Sequence, residues 1–211
     1  MNKLIILVVL IIAGILLKIF GLLHPVELIS IGRQYTDNWW LPFILVLLQI
    51  LLFTFAQAGS LFLWVAASLY TPLVATLILA TGATLGGVSA YFFSEKLSVE
   101  WMQRIENSHI YKLLQKQNNF FTLLAMRVMP AFPHSVINYS SGILKTNLLY
   151  FSSAAFIGIA LKSYVYSKVI YSATSDASLN DLFDIATIGP LVLLSVVMLG
   201  GVFIKYKYDQ K

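Results

Sequence analysis

The chain alternates long apolar runs with short polar breaks, and the lengths of the runs are uneven. Residues 4–23 are apolar apart from Lys18, enough for one helix across roughly 30 Å of hydrocarbon. Residues 41–56 are apolar but short; Gln57-Ala58-Gly59-Ser60 interrupts them, and residues 61–70 form a second short piece ending at Thr71-Pro72. Residues 73–93 make a full span that contains Gly82, Gly86 and Gly87, and residues 94–119 are the only extended polar stretch. A short apolar piece, 120–129, runs into Pro130-Ala131-Phe132-Pro133 and a mixed segment to residue 146. A long span, 147–171, an acidic loop, 172–184, and a final span, 185–204, complete the pattern.

Charge placement orients these pieces, because Lys and Arg in short loops mark the cytoplasmic side. The 94–119 loop carries Lys96, Arg104, Lys112 and Lys116, and the C-terminal tail carries Lys205, Lys207 and Lys211. The 172–184 loop has acids and no base, which puts it outside. Between Trp40 outside and Ser94 inside the chain must cross an odd number of times. The economical solution is a re-entrant hairpin, 41–72, followed by one true span, 73–93; three conventional crossings are the alternative. A second hairpin, 120–146, enters from inside and precedes the span 147–171. The expected fold is an all-α polytopic membrane protein. It is an inverted repeat of re-entrant helical hairpin plus transmembrane helix, flanked by an N-terminal unit (1–40) and a C-terminal unit (172–211) with one transmembrane helix each.

Composition supports lipid as the solvent. Of the 211 residues 59% are hydrophobic and 11% charged, against roughly 25% charged in an average globular chain. The excess of 14 Lys+Arg over 9 Asp+Glu reads as topology and not as a nucleic-acid footprint. With no cysteine, disulfides, thiol catalysis and Cys-based metal sites are excluded. Residues 4–23 lack a following A-x-A-like site, so a retained span is expected there and not a cleaved signal.

A backbone break at membrane depth survives only when it is buried in protein or lines a wet cavity. Two facing breaks in an inverted repeat therefore imply a polar pocket near the midplane. Arg127, three residues before Pro130, is the first candidate: a charge at that depth costs ~3 kcal/mol and needs a cavity or a partner. It either caps the broken helix and snorkels, or its fork of donors binds a lipid phosphate. Pro130 and Pro133 forbid a continuous helix, and with Gly59, Pro72 and Gly142 they are the structural hairpin breaks. Asn138, Tyr139 and Gln57 would line the route. His134 is either a hydrogen-bonding residue or a group titrating near neutrality. Lys162 lies deep in its span with no acid in any span to pair with; it either snorkels or joins Arg127 in holding the headgroup phosphate, whereas Lys18 and Lys168 are placed to snorkel. Tyr35, Trp39 and Trp40 read as an interfacial belt. Ser140-Ser141-Gly142 lacks a His on a facing helix, and no His/Glu cluster suits a metal, so neither an enzyme nor a cofactor is expected.

The stretch Arg127-x-x-Pro130-x-x-Pro133 followed by Asn138-Tyr139-x-x-Gly142 resembles the hairpin signature of the DedA/VTT (SNARE-associated) membrane proteins. It is nearer to their TVP-type branch. Residues 58–60, Thr71-Pro72-Leu73 and Gly82 through Tyr91 are similar to the family's first hairpin and following span; the likeness covers residues 45–170. It implies two facing re-entrant hairpins, with Arg127 as the hairpin arginine and Pro130 and Pro133 as its tip. It also implies movement of lipids: phospholipid scrambling, or recycling of polyprenyl phosphates or phosphatidylethanolamine. There are departures. The family's second arginine is Pro133 here, residues 41–72 hold no acid, Ser94-Glu95-Lys96 replaces a Gly-Arg pair, and Ala67-Ser68 and Tyr70-Thr71 replace small pairs. Coupling through a hairpin carboxylate is thus disfavoured, and passive scrambling fits better. The expected function is a lipid translocator for phosphate-bearing headgroups in a prokaryotic plasma membrane, both termini cytoplasmic. The alternatives are a non-transporting membrane-organisation factor and an ion-coupled small-solute transporter. Membrane lipids are the expected partners; homo-oligomerisation is left open.

Overall fold

The computed structural model describes residues 25–56, 60–97, 99–129 and 132–174. The expected terminal spans 4–23 and 185–204, and the break residues Gln57, Gly59 and Pro130, lie outside the described residues. Every regular element described is helical: α1 (Pro25–Arg33), α2 (Leu41–Thr54), α3 (Ser60–Leu69), α4 (Pro72–Phe93), a 3₁₀ turn (Ser94–Lys96), α5 (Val99–Glu106), α6 (His109–Lys116), α7 (Phe120–Val128), α8 (His134–Ile143) and α9 (Leu148–Thr174).

Local chemistry sets these boundaries. Pro72 opens α4 after extended Thr71, a position where the missing N–H costs nothing. The Asn119 amide oxygen accepts from Thr122 N at 3.0 Å at the head of α7, and Asn147 accepts from Leu149 N and Tyr150 N at 3.0 and 3.1 Å at the head of α9. Both are side-chain N-caps. At the end of α8, Lys145 turns left-handed with φ 51°. Lys145 N then donates to Gly142 O and Thr146 N to Ser141 O, at 3.1 and 2.9 Å, a closure that usually uses glycine. Ala56, with φ 58°, makes the matching turn after α2.

Helix length divides the elements into two kinds. At 1.5 Å per residue, the 22 residues of α4 and the 27 of α9 reach about 33 and 40 Å, and both are apolar enough to cross a membrane. The 14 residues of α2, 10 of α3, 9 of α7 and 10 of α8 reach only about 13–21 Å.

The long helices pack along each other, and the short ones are distributed between them by a simple rule. Each first arm lies on the long helix that follows it, α2 on α4 and α7 on α9. Each second arm crosses over, α3 to α9 and α8 to α4. The seam between α4 and α9 is lined by Ala80, Ala83, Ala155 and Ile159, small enough for close approach. One core lies on either side of it, around Leu45, Val65 and Ile78 and around Leu123, Ile137 and Phe151. Around the outside, Phe43 is 68% exposed, Leu73 62% and Leu149 71%. Apolar surface of that kind suits lipid and not water.

The polar stretch after α4 folds into the amphipathic pair α5 and α6. Ile105 and Leu114 are buried, and Val99, Trp101 and Leu113 are exposed. Ser108 caps α6 by accepting from Tyr111 N at 3.1 Å.

Candidate functional site

Arg127 stands in the last turn of α7 and is 1% exposed, the largest of the fully buried side chains. Its position has a local rationale: the last carbonyls of a helix carry partial negative charge, which favours a cation there. Three contacts hold the guanidinium. One terminal nitrogen donates to Asn138 Oδ1 at 2.6 Å. The other lies 3.2 Å from His134 Nδ1. The guanidinium carbon sits 5.1 Å from the centroid of the Phe151 ring, a cation–π geometry. The Nε hydrogen has no acceptor, nor does the amide nitrogen of Asn138 have a partner.

His134 begins α8 and is the middle link of a chain. Its Nε2 lies 2.8 Å from Lys162 Nζ, and its ring is 6.3 Å from that of Phe53 in α2. Lys162 is fourteen residues into the 27-residue α9, close to the middle of a long apolar helix. None of α2, α3, α4, α7, α8 or α9 contains an Asp or Glu. Two basic side chains and an imidazole are thus gathered between the long helices with no carboxylate from any helix packed around them.

Glycine makes the approach of α7 to α9 possible. A Cβ on Gly158 would stand 2.5 Å from the Cβ of Arg127. A Cβ on Gly87 would be 3.1 Å from Asn138 Oδ1, so α4 also leaves room for the Arg127–Asn138 pair. Gly142 packs against the end of α4, where a Cβ would collide with Ser94 Oγ and Tyr91 O. The second arm is further fixed by two long-range bonds. Tyr139 donates its hydroxyl to Thr54 O at 2.6 Å, satisfying a terminal carbonyl of α2. Tyr91 donates to Thr146 O at 2.8 Å.

Of the residues singled out from sequence, Arg127, His134, Asn138 and Lys162 form one connected cluster. Tyr139 is adjacent on α8 but turns to the end of α2. Pro133 precedes α8 and its carbonyl accepts from Val136 N at 3.1 Å; Pro72 starts α4. Gln57, Gly59 and Pro130 are outside the described residues. Sequence reasoning passed over Phe151 and Gly158. It also passed over Gln49, which is 2% exposed with an unpartnered amide oxygen. Its signal was present: Gln49 is the one amide in an otherwise apolar α2.

A family model, the VTT domain, matches residues 38–172, which takes in α2 through most of α9. Among curated proteins, the chain is 28% identical over 186 residues to a transmembrane protein 41 homolog of Dictyostelium discoideum, covering 82% of this chain and 55% of that one. It is 25% identical over 184 residues to an uncharacterized membrane protein of Arabidopsis thaliana, covering 82% and 63%. The chain therefore spans less than two thirds of the length of these relatives. Both are named as membrane proteins and neither as an enzyme. No solved structure matches.

Proposed function

The chain belongs to the VTT-domain family of membrane proteins, and on that premise we propose that it moves lipids between leaflets, with the Arg127 cluster as the station for a phosphate-bearing headgroup. In this reading α2–α3 and α7–α8 are re-entrant hairpins that enter from opposite faces. Each arm is too short to cross roughly 30 Å of hydrocarbon, while α4 and α9 are long enough. The basic 94–119 stretch supports an entrance for the second hairpin on the cytoplasmic side. The headgroup passes between the hairpins while the acyl tails stay in the bilayer.

The observation that carries the reading is the buried, carboxylate-free Arg127. A guanidinium inside a protein is ordinarily neutralised by an ion pair, because an uncompensated buried charge is costly. Here α8 supplies two neutral partners, Asn138 and His134, α9 supplies an aromatic face, and the Nε–H of Arg127 itself is unused. A phosphate oxygen is the acceptor that Nε lacks, and guanidinium binds phosphate through paired donors.

Reconstitution of the full chain in phosphatidylcholine vesicles containing a trace of fluorescent phospholipid tests this. Leaflet exchange, read by quenching of the outer leaflet, is expected to exceed that of empty vesicles. Replacing Arg127 with Ala is expected to return it to that level. Exchange equal to that of empty vesicles in the wild type ends the proposal.

A further inference from the structure

Donor and acceptor chemistry fixes more about this cluster than the presence of two basic groups. Arginine has five N–H donors and no acceptor, so its contact with His134 Nδ1 at 3.2 Å requires a lone pair on Nδ1. A neutral imidazole with its lone pair on Nδ1 carries its hydrogen on Nε2. That hydrogen points at Lys162 Nζ, 2.8 Å away. An ammonium has three donors and no lone pair, so it cannot accept. Among neutral and cationic forms of the ring, only one assignment makes both contacts hydrogen bonds. That assignment has Arg127 charged, His134 neutral and Lys162 a neutral amine accepting from Nε2–H. A charged imidazolium fails at Nδ1 and is further opposed by the N-terminus of α8, where His134 is the first residue.

On the described helices around the cluster, the remaining titratable side chains are tyrosines and Lys168. α2 and α3 hold no titratable side chain, α4 holds only Tyr91, and α7 only Arg127. Tyr91 and Tyr139 donate their hydroxyls to Thr146 O and Thr54 O. Along α9, Tyr166 lies one turn beyond Lys162 and is half-buried, Lys168 and Tyr171 lie six and nine residues beyond it, and Tyr150 and Tyr164 are exposed.

Resting on the reading of this cluster as a headgroup station, we propose that Lys162 is a proton acceptor, and that binding of a phosphate-bearing headgroup takes up one proton there. An anion placed against Lys162 replaces the Nε2–H bond with a charge-assisted one, which the amine makes only after it has become ammonium. The empty site then carries one positive charge; the occupied site carries two, and the single negative charge of a phosphodiester offsets the one that was added. The coupling needs no hairpin carboxylate, which this chain lacks between residues 41 and 72.

The test uses a short-chain fluorescent phosphatidylglycerol, whose headgroup has no group titrating between about pH 6 and 10, bound to the full chain in nonionic detergent. Wild-type affinity is expected to strengthen about tenfold per unit fall in pH over part of that range, the slope of one linked proton. A pH indicator in weak buffer is expected to register about one proton taken up per lipid bound. Lys162→Arg has a fixed charge and is expected to lose both the slope and the uptake. Lys162→Met is expected to bind weakly at every pH. His134→Gln offers an acceptor at one end and a donor at the other, and is expected to keep the slope whatever its affinity. Wild-type binding without proton uptake, or a wild-type slope in Lys162→Arg, overturns the proposal while leaving the headgroup station standing. No binding at any pH removes both. The wild-type proton count decides the matter by itself should a variant fail to fold.

Discussion

The two halves of the molecule share a frame and differ in what they bury. In the first half, α2 lies on α4 and presses Gln49 against Gly82, where a Cβ would collide with the amide oxygen. In the second, α7 lies on α9 and presses Arg127 against Gly158. Both glycines stand ten residues past the start of their helix, Pro72 to Gly82 and Leu148 to Gly158. Gln49 is thus the structural counterpart of Arg127, one buried amide against one buried guanidinium. The amide oxygen has no partner, whereas the guanidinium has Asn138, His134 and Phe151. A repeated packing device therefore serves two ends: in one half it seats a helix, and in the other it also positions a charge.

Six substitutions sharpen or break this comparison, beginning with the largest effect. Arg127→Met is expected to lower protein-driven leaflet exchange at least tenfold in the vesicle assay. Its stability, followed by thermal unfolding in detergent, should shift by less than about 2 kcal/mol. The loss of a donor for Asn138, worth roughly 1–3 kcal/mol, is offset by relief of a buried charge. A collapse of the fold would instead make Arg127 a structural residue.

Gly158→Ala comes next, because its new methyl meets Arg127 Cβ near its own backbone. The expected cost is about 1–3 kcal/mol, with a fall in exchange. Gly82→Ala meets the movable end of Gln49 and should cost less and leave exchange nearer to wild type. Equal effects at the two glycines would mean that the halves do not differ as described.

Removing the polar groups themselves should give opposite signs. Gln49→Leu takes away a buried acceptor with no partner and is expected to stabilise by about 1 kcal/mol. Asn138→Leu deprives Arg127 of its shortest bond and is expected to destabilise by about 1–3 kcal/mol. Denaturation of both variants in the same detergent reads the difference; two losses of similar size would place a ligand or water on Gln49. The smallest effect is expected from Tyr139→Phe. It removes the 2.6 Å bond to Thr54 O that ties the halves together, about 0.5–1.5 kcal/mol, and shows as faster hydrogen exchange at the end of α2.

Much of the helical frame was legible without coordinates, for reasons that are local. The run from Leu73 to Phe93 is uniformly apolar and opens at a proline, and α4 begins at Pro72. The polar stretch between α4 and α7 carries its apolar residues at helical spacing, and α5 and α6 bury Ile105 and Leu114. Asn147, the residue that caps α9, was not picked out, although an asparagine just before an apolar run is a readable cap signal. The site was legible only as a set of suspects. Arg127 stood out because a charge among apolar neighbours requires a reason, and Lys162 stood out in the same way.

The sequence alone determined that lipid is this chain's solvent, where its helices are interrupted, and that no acid in an apolar span accompanies its two deep basic residues. These follow from composition and from the nearest few neighbours along the chain. Only the tertiary structure decided that the second arms cross between halves, that His134 stands between Arg127 and Lys162, and that Phe151 and Gly158 form the seat of the guanidinium. Those contacts join residues 7, 24, 28 and 31 positions apart, on three different helices. Whether such side chains meet depends on how the helices pack, which no local pattern encodes.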